Sequence, residues 1–124
     1  MYIEKREYHL RSQHIAPFLE MVEKRELPLF GEAGDHVIGY FYSEIGDLNL
    51  VTVLWRWETL EQRDSVRRDL IGRFFQTGLE QELESHVVRQ TNAIWKVAPF
   101  FDAQNMRLFA ASHVGRPEPS RQQE

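Results

Sequence analysis

Glu4, Arg6 and Tyr8 stand at alternate positions near the start of the chain. In an extended strand side chains alternate between faces, so this spacing puts an acid, a guanidinium and a phenol side by side. Such a trio can hold a small molecule. Arg6 can grip a carboxylate or an enolate through two parallel N–H bonds, with Glu4 orienting the guanidinium and Tyr8 offering a hydroxyl. The same trio can instead be a buried ionic network, because charges persist inside a protein only when paired.

Three further groups could do chemistry. Asn49 follows a turn and could donate to a ligand oxygen or an oxyanion, although turn geometry also favours an asparagine there. Tyr40, Trp55 and Trp57 could wall a flat ligand or simply fill the core. Arg63, at the start of a helix, could bind an anion or reach the sheet. The five histidines, His9, His14, His36, His86 and His113, show no metal-type spacing, so neither a metal nor a bound cofactor is expected. Gly31 and Gly34 lack the setting of a phosphate loop, and Ser43 lacks that of a nucleophile elbow.

The elements that must position these residues follow from periodicity. Residues 2–10 alternate as a strand, with Ile3, Lys5, Glu7 and His9 on the opposite face. Ser12 is placed to cap a helix with Pro17 in its first turns. Its buried stripe is Ile15, Phe18, Leu19 and Val22, and Glu20, Glu23, Lys24 and Arg25 face out. Pro28 should end or kink it. Two strands, 37–45 and 49–57, flank a short turn at Gly46, Asp47 and Leu48 and should pair antiparallel. Thr59 and Gln62 form a capping box for the next helix. There Leu60, Val66, Leu70 and Ile71 face inward and Arg63, Asp64, Arg67, Arg68 and Asp69 mostly outward, with a loosening at Gly72. A last strand spans 86–97, stopped by Pro99.

The order is β-α-β-β-α-β, an α+β ferredoxin-like domain: a four-stranded antiparallel sheet with helices on one face. Residues 1–101 form this domain. Residues 102–124 are an extension, apolar but irregular at first, and polar and disordered from about 113. In residues 49–57 both faces are apolar, Val51, Val53, Trp55 and Trp57 on one and Leu50, Leu54 and the Thr52 methyl on the other. Antiparallel sheets usually keep one wet face. With too few helices to cover both, the second face predicts a homodimer formed through the sheets.

Composition excludes several classes. The 124 residues carry a net charge of −4, with acids and bases interspersed, which argues against a nucleic-acid binder. There is no cysteine, hence no disulfide framework, thiolate nucleophile or cysteine metal site. The opening MYIEKREYHL lacks the apolar run of a signal peptide, and no stretch is long enough to insert in a membrane. A cytoplasmic protein is expected.

The segments Val37–Ile38–Gly39–Tyr40, Ser43–Glu44–Ile45–Gly46 and Leu48–Asn49 resemble the NIPSNAP family signature. Leu54–Trp55 with Thr59–Leu60 and Arg63, the opening Glu4, Arg6 and Tyr8, and Pro99–Phe100 are similar to it too. The resemblance spans about residues 2–101. It implies a dimeric α+β barrel of ferredoxin-like protomers, within a superfamily that includes cofactor-independent monooxygenases, haem-degrading enzymes and stress-response proteins. A small organic ligand, with monooxygenase-like chemistry, is one implication; a non-catalytic adaptor, as in eukaryotic members, is the other. Val53 stands where the family commonly has His, and Thr91 where it has an acid.

Overall fold

The computed structural model describes residues 1–109. β1 (Tyr2–Leu10) lies in the middle of the sheet, paired antiparallel to β3 (Leu50–Trp57) and β4 (Val87–Lys96), with β2 (Val37–Tyr42) outside β3. The order β2-β3-β1-β4, all antiparallel, is the ferredoxin-like arrangement expected of two split βαβ halves. β3 alternates between buried and half-buried residues along its whole length. Val51, Val53, Trp55 and Trp57 point to the helices and form the core with Phe18, Met21, Val22, Phe30, Leu70 and Leu79.

The opposite face carries Ile3, Lys5, Glu7 and His9 from β1, and Leu50, Thr52, Leu54 and Arg56 from β3. None of these is buried, and no helix among the described residues packs on them. Trp95 of β4 and Phe41 of β2, both on this side, are 51 % and 54 % exposed. The Phe41 ring folds over Gly39, so close that a Cβ there would sit 2.5 Å from it. This glycine is needed for the approach.

The first helical arm differs from expectation. Ser12 does not cap it: α1 (Ile15–Met21) starts after His14, with no side-chain cap. Pro28 does not end it either. The arm passes through a π turn (Val22–Glu26) into α2 (Leu27–Phe30), with Pro28 in the first turn of α2. A proline cannot donate to the carbonyl four residues back and its ring crowds that carbonyl. The wider π turn just upstream takes up the conflict, and helical residues run on without a gap from Ile15 to Phe30. A 3-10 stretch (Gly31–His36) leads into β2.

α3 (Leu60–Thr77) begins as predicted, with the Thr59 hydroxyl accepting from Gln62 N–H at 3.0 Å and the Gln62 side chain accepting from Glu58 N–H at 2.8 Å. It does not loosen at Gly72. The break comes at Gly78, whose φ of 74° closes α3 and opens α4 (Leu79–His86). Leu60 and Ile71, expected inside, are about 40 % exposed. A bulge between His9 and Leu10 sets Val87 opposite Leu10, so Val87 joins the core side and Val88 is exposed.

The extension begins as a small hairpin, β5 (Phe101–Asp102) with β6 (Arg107–Leu108), rather than an irregular stretch. It is tied to the sheet by Arg56, which donates to the Ala103 carbonyl at 2.8 Å. The disorder expected from about residue 113 lies outside the described residues.

Candidate functional site

β1 brings Glu4, Arg6 and Tyr8 to the helix side of the sheet, as alternation requires. Glu4 is fully buried. Its Oε1 accepts from Arg63 Nε at 2.8 Å and from Trp57 Nε1 at 2.9 Å. Its Oε2 accepts from Arg6 Nη1 at 3.0 Å and from Arg63 Nη2 at 3.1 Å. Burial alone pushes this carboxyl up, but the hydrogen bonds from Arg63, Trp57 and Arg6 outweigh burial and hold it at about 2. Arg63 therefore reaches the sheet in a bidentate pair instead of lying on the wet side of its helix. The remaining Arg6 nitrogens are also engaged: Nε donates to the Tyr8 hydroxyl at 3.4 Å and Nη2 to Gln90 at 3.2 Å.

Beside this cluster a cavity of about 210 Å³ opens between the sheet and the helices. Arg6, Tyr8, Tyr40, Val53 and Trp55 form its sheet side, and Glu26 and Phe30 come from the first helical arm. Arg67, Leu70 and Phe74 of α3 and Glu80 and Leu83 of α4 complete it. Apolar walls with a few convergent polar groups are the usual make-up of a ligand site.

What separates this cavity from the Glu4 cluster is that several of its polar groups, away from Arg6, have no hydrogen-bonding protein partner. Glu26 is 7 % exposed, yet among the described residues it makes no hydrogen bond or ion pair. Burial, with the nearby Glu82 carboxylate adding to it, pushes its carboxyl up to about 7. Trp55 Nε1 and Glu80 Oε1 are buried without a hydrogen-bond partner. Arg67 has no acidic partner among the described residues. Its guanidinium stands 5.9 Å from the centre of the Trp55 ring, a cation–π contact. Burial and the neighbouring Arg6 lower its pKa, though arginine stays charged at any ordinary pH. Burial, with Glu26 and Tyr8 nearby, raises the Tyr40 phenol, so Tyr40 stays a neutral donor.

Of the expected site residues, Arg6, Tyr8, Tyr40 and Trp55 line the cavity, while Glu4 and Arg63 stand behind Arg6 and hold it. Trp57 stacks on Trp55 at 5.5 Å, fully buried and away from the cavity. Asn49 is elsewhere: its backbone carbonyl accepts from Leu10 N–H at 2.7 Å, closing the end of the strand pair. Glu26, Arg67, Glu80 and Gln90 were not anticipated. A signal for Glu26 exists: it falls on the row Phe18, Val22, Glu26, Phe30, an acid at an otherwise apolar position every four residues. Among the described residues no three His, Asp or Glu side chains converge to hold a metal, and no helix is long and apolar enough to cross a membrane.

Residues 3–101 match the NIPSNAP family model. A structure described as an uncharacterized NIPSNAP-like domain protein from Burkholderia xenovorans is similar, with 28% identity and a TM-score of 0.75 over 90% of this chain and 96% of that one. So is a NIPSNAP family protein of unknown function from Agrobacterium tumefaciens, with 27% identity and a TM-score of 0.73 over 81% of this chain and 90% of that one. A protein from an uncultured marine organism described as dimeric and ferredoxin-like shares the fold at 14% identity, with a TM-score of 0.64 over 82% of this chain and 90% of that one. No curated protein matches.

Proposed function

The chain belongs to the NIPSNAP family, and on that premise we propose a cytoplasmic homodimer that binds a small organic anion in the cavity between its sheet and its helices. The observation that carries the reading is the set of polar groups left without protein partners around one cavity: Glu26 and Trp55 Nε1, both buried, and the half-buried Arg67. Buried polar groups are nearly always hydrogen-bonded. Leaving a buried donor or acceptor unsatisfied costs about 1–3 kcal/mol, more for a charged group. A ligand that supplies the missing partners explains why these residues stand there.

The sign of the ligand follows from charge. Arg6 and Arg67 line the cavity together with Glu26 and Glu80, and because Arg6 and Arg63 share Glu4, Arg67 is the cation without an acidic partner that an anion would meet. Its size follows from volume: about 210 Å³ is below the range of roughly 300–1,000 Å³ that holds drug-sized molecules. Arg67 is the expected anchor, since the nitrogens of Arg6 are occupied and a ligand there must displace Gln90. The test uses benzoate and its neutral analogue benzamide in calorimetric titration. Benzoate should bind, benzamide should not, and Arg67→Gln should abolish benzoate binding; equal binding of both probes would defeat the charge argument.

The uncovered face of the sheet supports the dimer. Ile3 and Leu54 lie there half-buried and Trp95 exposed, beside charged pairs such as Lys5–Glu7 at 3.4 Å. The assembly is readable by sedimentation, and Leu54→Glu should yield monomers. A cofactor-independent monooxygenase is one enzymatic form of this reading. An adaptor role is favoured by a different region, the β2–β3 loop, where Ile45 is 91 % and Leu48 72 % exposed.

A further inference from the structure

Resting on that binding reading, we infer that Glu26 is a general base, taking a proton from the carbon next to the carbonyl of a 2-oxo acid whose carboxylate is held by Arg67. The inference names a reaction, enolisation, and a substrate class, small 2-oxo acids with an apolar side chain.

The geometry supplies each part. Arg67 and the Trp55 indole are neighbours, the guanidinium 5.9 Å from the ring centre. One is a cation without an acidic partner and the other an N–H donor without an acceptor. A 2-oxo acid presents its carboxylate and its carbonyl oxygen on adjacent carbons, and the paired N–H donors of the Arg67 guanidinium match such a pair of oxygens. Phe30, Leu70 and Phe74 offer an apolar wall for the rest of the molecule. Glu26 enters from the first helical arm as an acid with no competing partner. A carboxyl at about 7 is half ionised at neutral pH, which suits a base that must also give its proton back.

The step balances without an oxidant or cofactor. The C–H bond breaks and its proton forms an O–H bond on Glu26. The C–H electron pair becomes the C=C bond of an enolate, and the carbonyl π pair moves to the oxygen, whose negative charge the Arg67 guanidinium offsets. Return of a proton from Glu26 to carbon regenerates the acid, and in heavy water the returned particle is a deuteron drawn from solvent.

The test is exchange of the phenylpyruvate methylene protons in heavy water, followed by proton NMR on the full chain. The protein should accelerate the loss of signal, and the rate should rise with pH through about 7. Glu26→Gln should lower the acceleration by about 100-fold or more, within the usual range for a general base, while phenylpyruvate still quenches tryptophan fluorescence. Glu26→Ala with added formate should recover part of the rate, which a merely structural glutamate would not show. Benzoylformate, which has no exchangeable carbon proton, should bind in competition with phenylpyruvate. Binding without accelerated exchange, or exchange indifferent to Glu26→Gln, overturns the base and leaves the binding reading standing. Failure of both oxo acids to bind overturns the binding reading as well.

Discussion

Glu4 and Glu26 are both buried glutamates in the same sheet–helix layer, and they have opposite surroundings. Glu4 accepts four hydrogen bonds, from Arg6, Arg63 and Trp57, and its carboxyl is held at about 2. Glu26 has no hydrogen bond among the described residues and its carboxyl is pushed up to about 7. Burial acts the same way on both; only partners distinguish them. Trp57 and Trp55 repeat the contrast. Their rings stack with 9° between planes, but Trp57 donates to Glu4 while the Trp55 N–H has no acceptor. The paired half is built to hold the fold, and the unpaired half is what a ligand would complete.

The comparison is broken most forcefully at Glu4. Replacing it with Gln leaves Arg6 and Arg63 side by side without their shared counter-charge. Breaking a buried pair in this way costs about 3–5 kcal/mol, readable as a lower urea midpoint at pH 7. The pH dependence has a definite sign. A carboxyl lowered from 4.5 to about 2 contributes stability that is present above pH 4.5 and is lost as pH falls towards 2. By linkage that is about 3 kcal/mol, and the Glu4→Gln variant should lack this acid-sensitive part. If the variant unfolds at the wild-type midpoint, the four-bond cluster is not what secures the sheet to α3.

Much of that paired half was legible in the residues themselves. Alternation put Glu4, Arg6 and Tyr8 on one face, and the Thr59–Gln62 pattern marked the start of α3, which fixes Arg63 one turn in. The two-sided apolar pattern of β3 likewise marked a face that no helix covers. The unpaired half was harder to see. Glu26 is brought in by a π turn, and a helix pattern read at regular pitch does not show where a turn widens. Arg67 has the same type and setting as solvent-facing arginines on α3, and only the position of the cavity separates it from them. Asn49 carried a distinctive type but was committed to closing the strand pair. Gly72 looked like a break because glycine weakens helices, yet the break went to Gly78, where a positive φ demands glycine.

At Glu26 the expected effect does not exceed that of breaking the Glu4 pair and has the opposite sign. A carboxyl raised from 4.5 to about 7 is a burden that is absent below pH 4.5, grows as pH rises towards 7 and stays constant above. Glu26→Gln imitates the protonated side chain, so the variant should match wild type near pH 4.5 and exceed it by about 3 kcal/mol at pH 8. Urea unfolding at the two pH values measures this directly. A variant less stable than wild type at pH 8 would mean that the ionised carboxylate has a partner and that the two glutamates are alike.

The smallest effect sharpens the comparison at Tyr40. Tyr40 lines the cavity and its ring packs against the core, and its hydroxyl makes no hydrogen bond among the described residues. Burial and the nearby Glu26 and Tyr8 keep the phenol neutral, so no charge is lost on replacement. Tyr40→Phe removes one oxygen and retains the ring. With no protein partner left behind, the change in stability should stay within about 0.5 kcal/mol, because the cost of deleting a hydroxyl comes mainly from the partner it abandons. The same substitution should weaken binding of an anion such as benzoate if the hydroxyl turns towards bound ligands. Stability unchanged and affinity reduced, measured by urea unfolding and calorimetry on one preparation, is the signature of a group placed for a ligand. Stability lost with affinity unchanged would move Tyr40 to the paired half of the molecule, with Glu4 and Trp57.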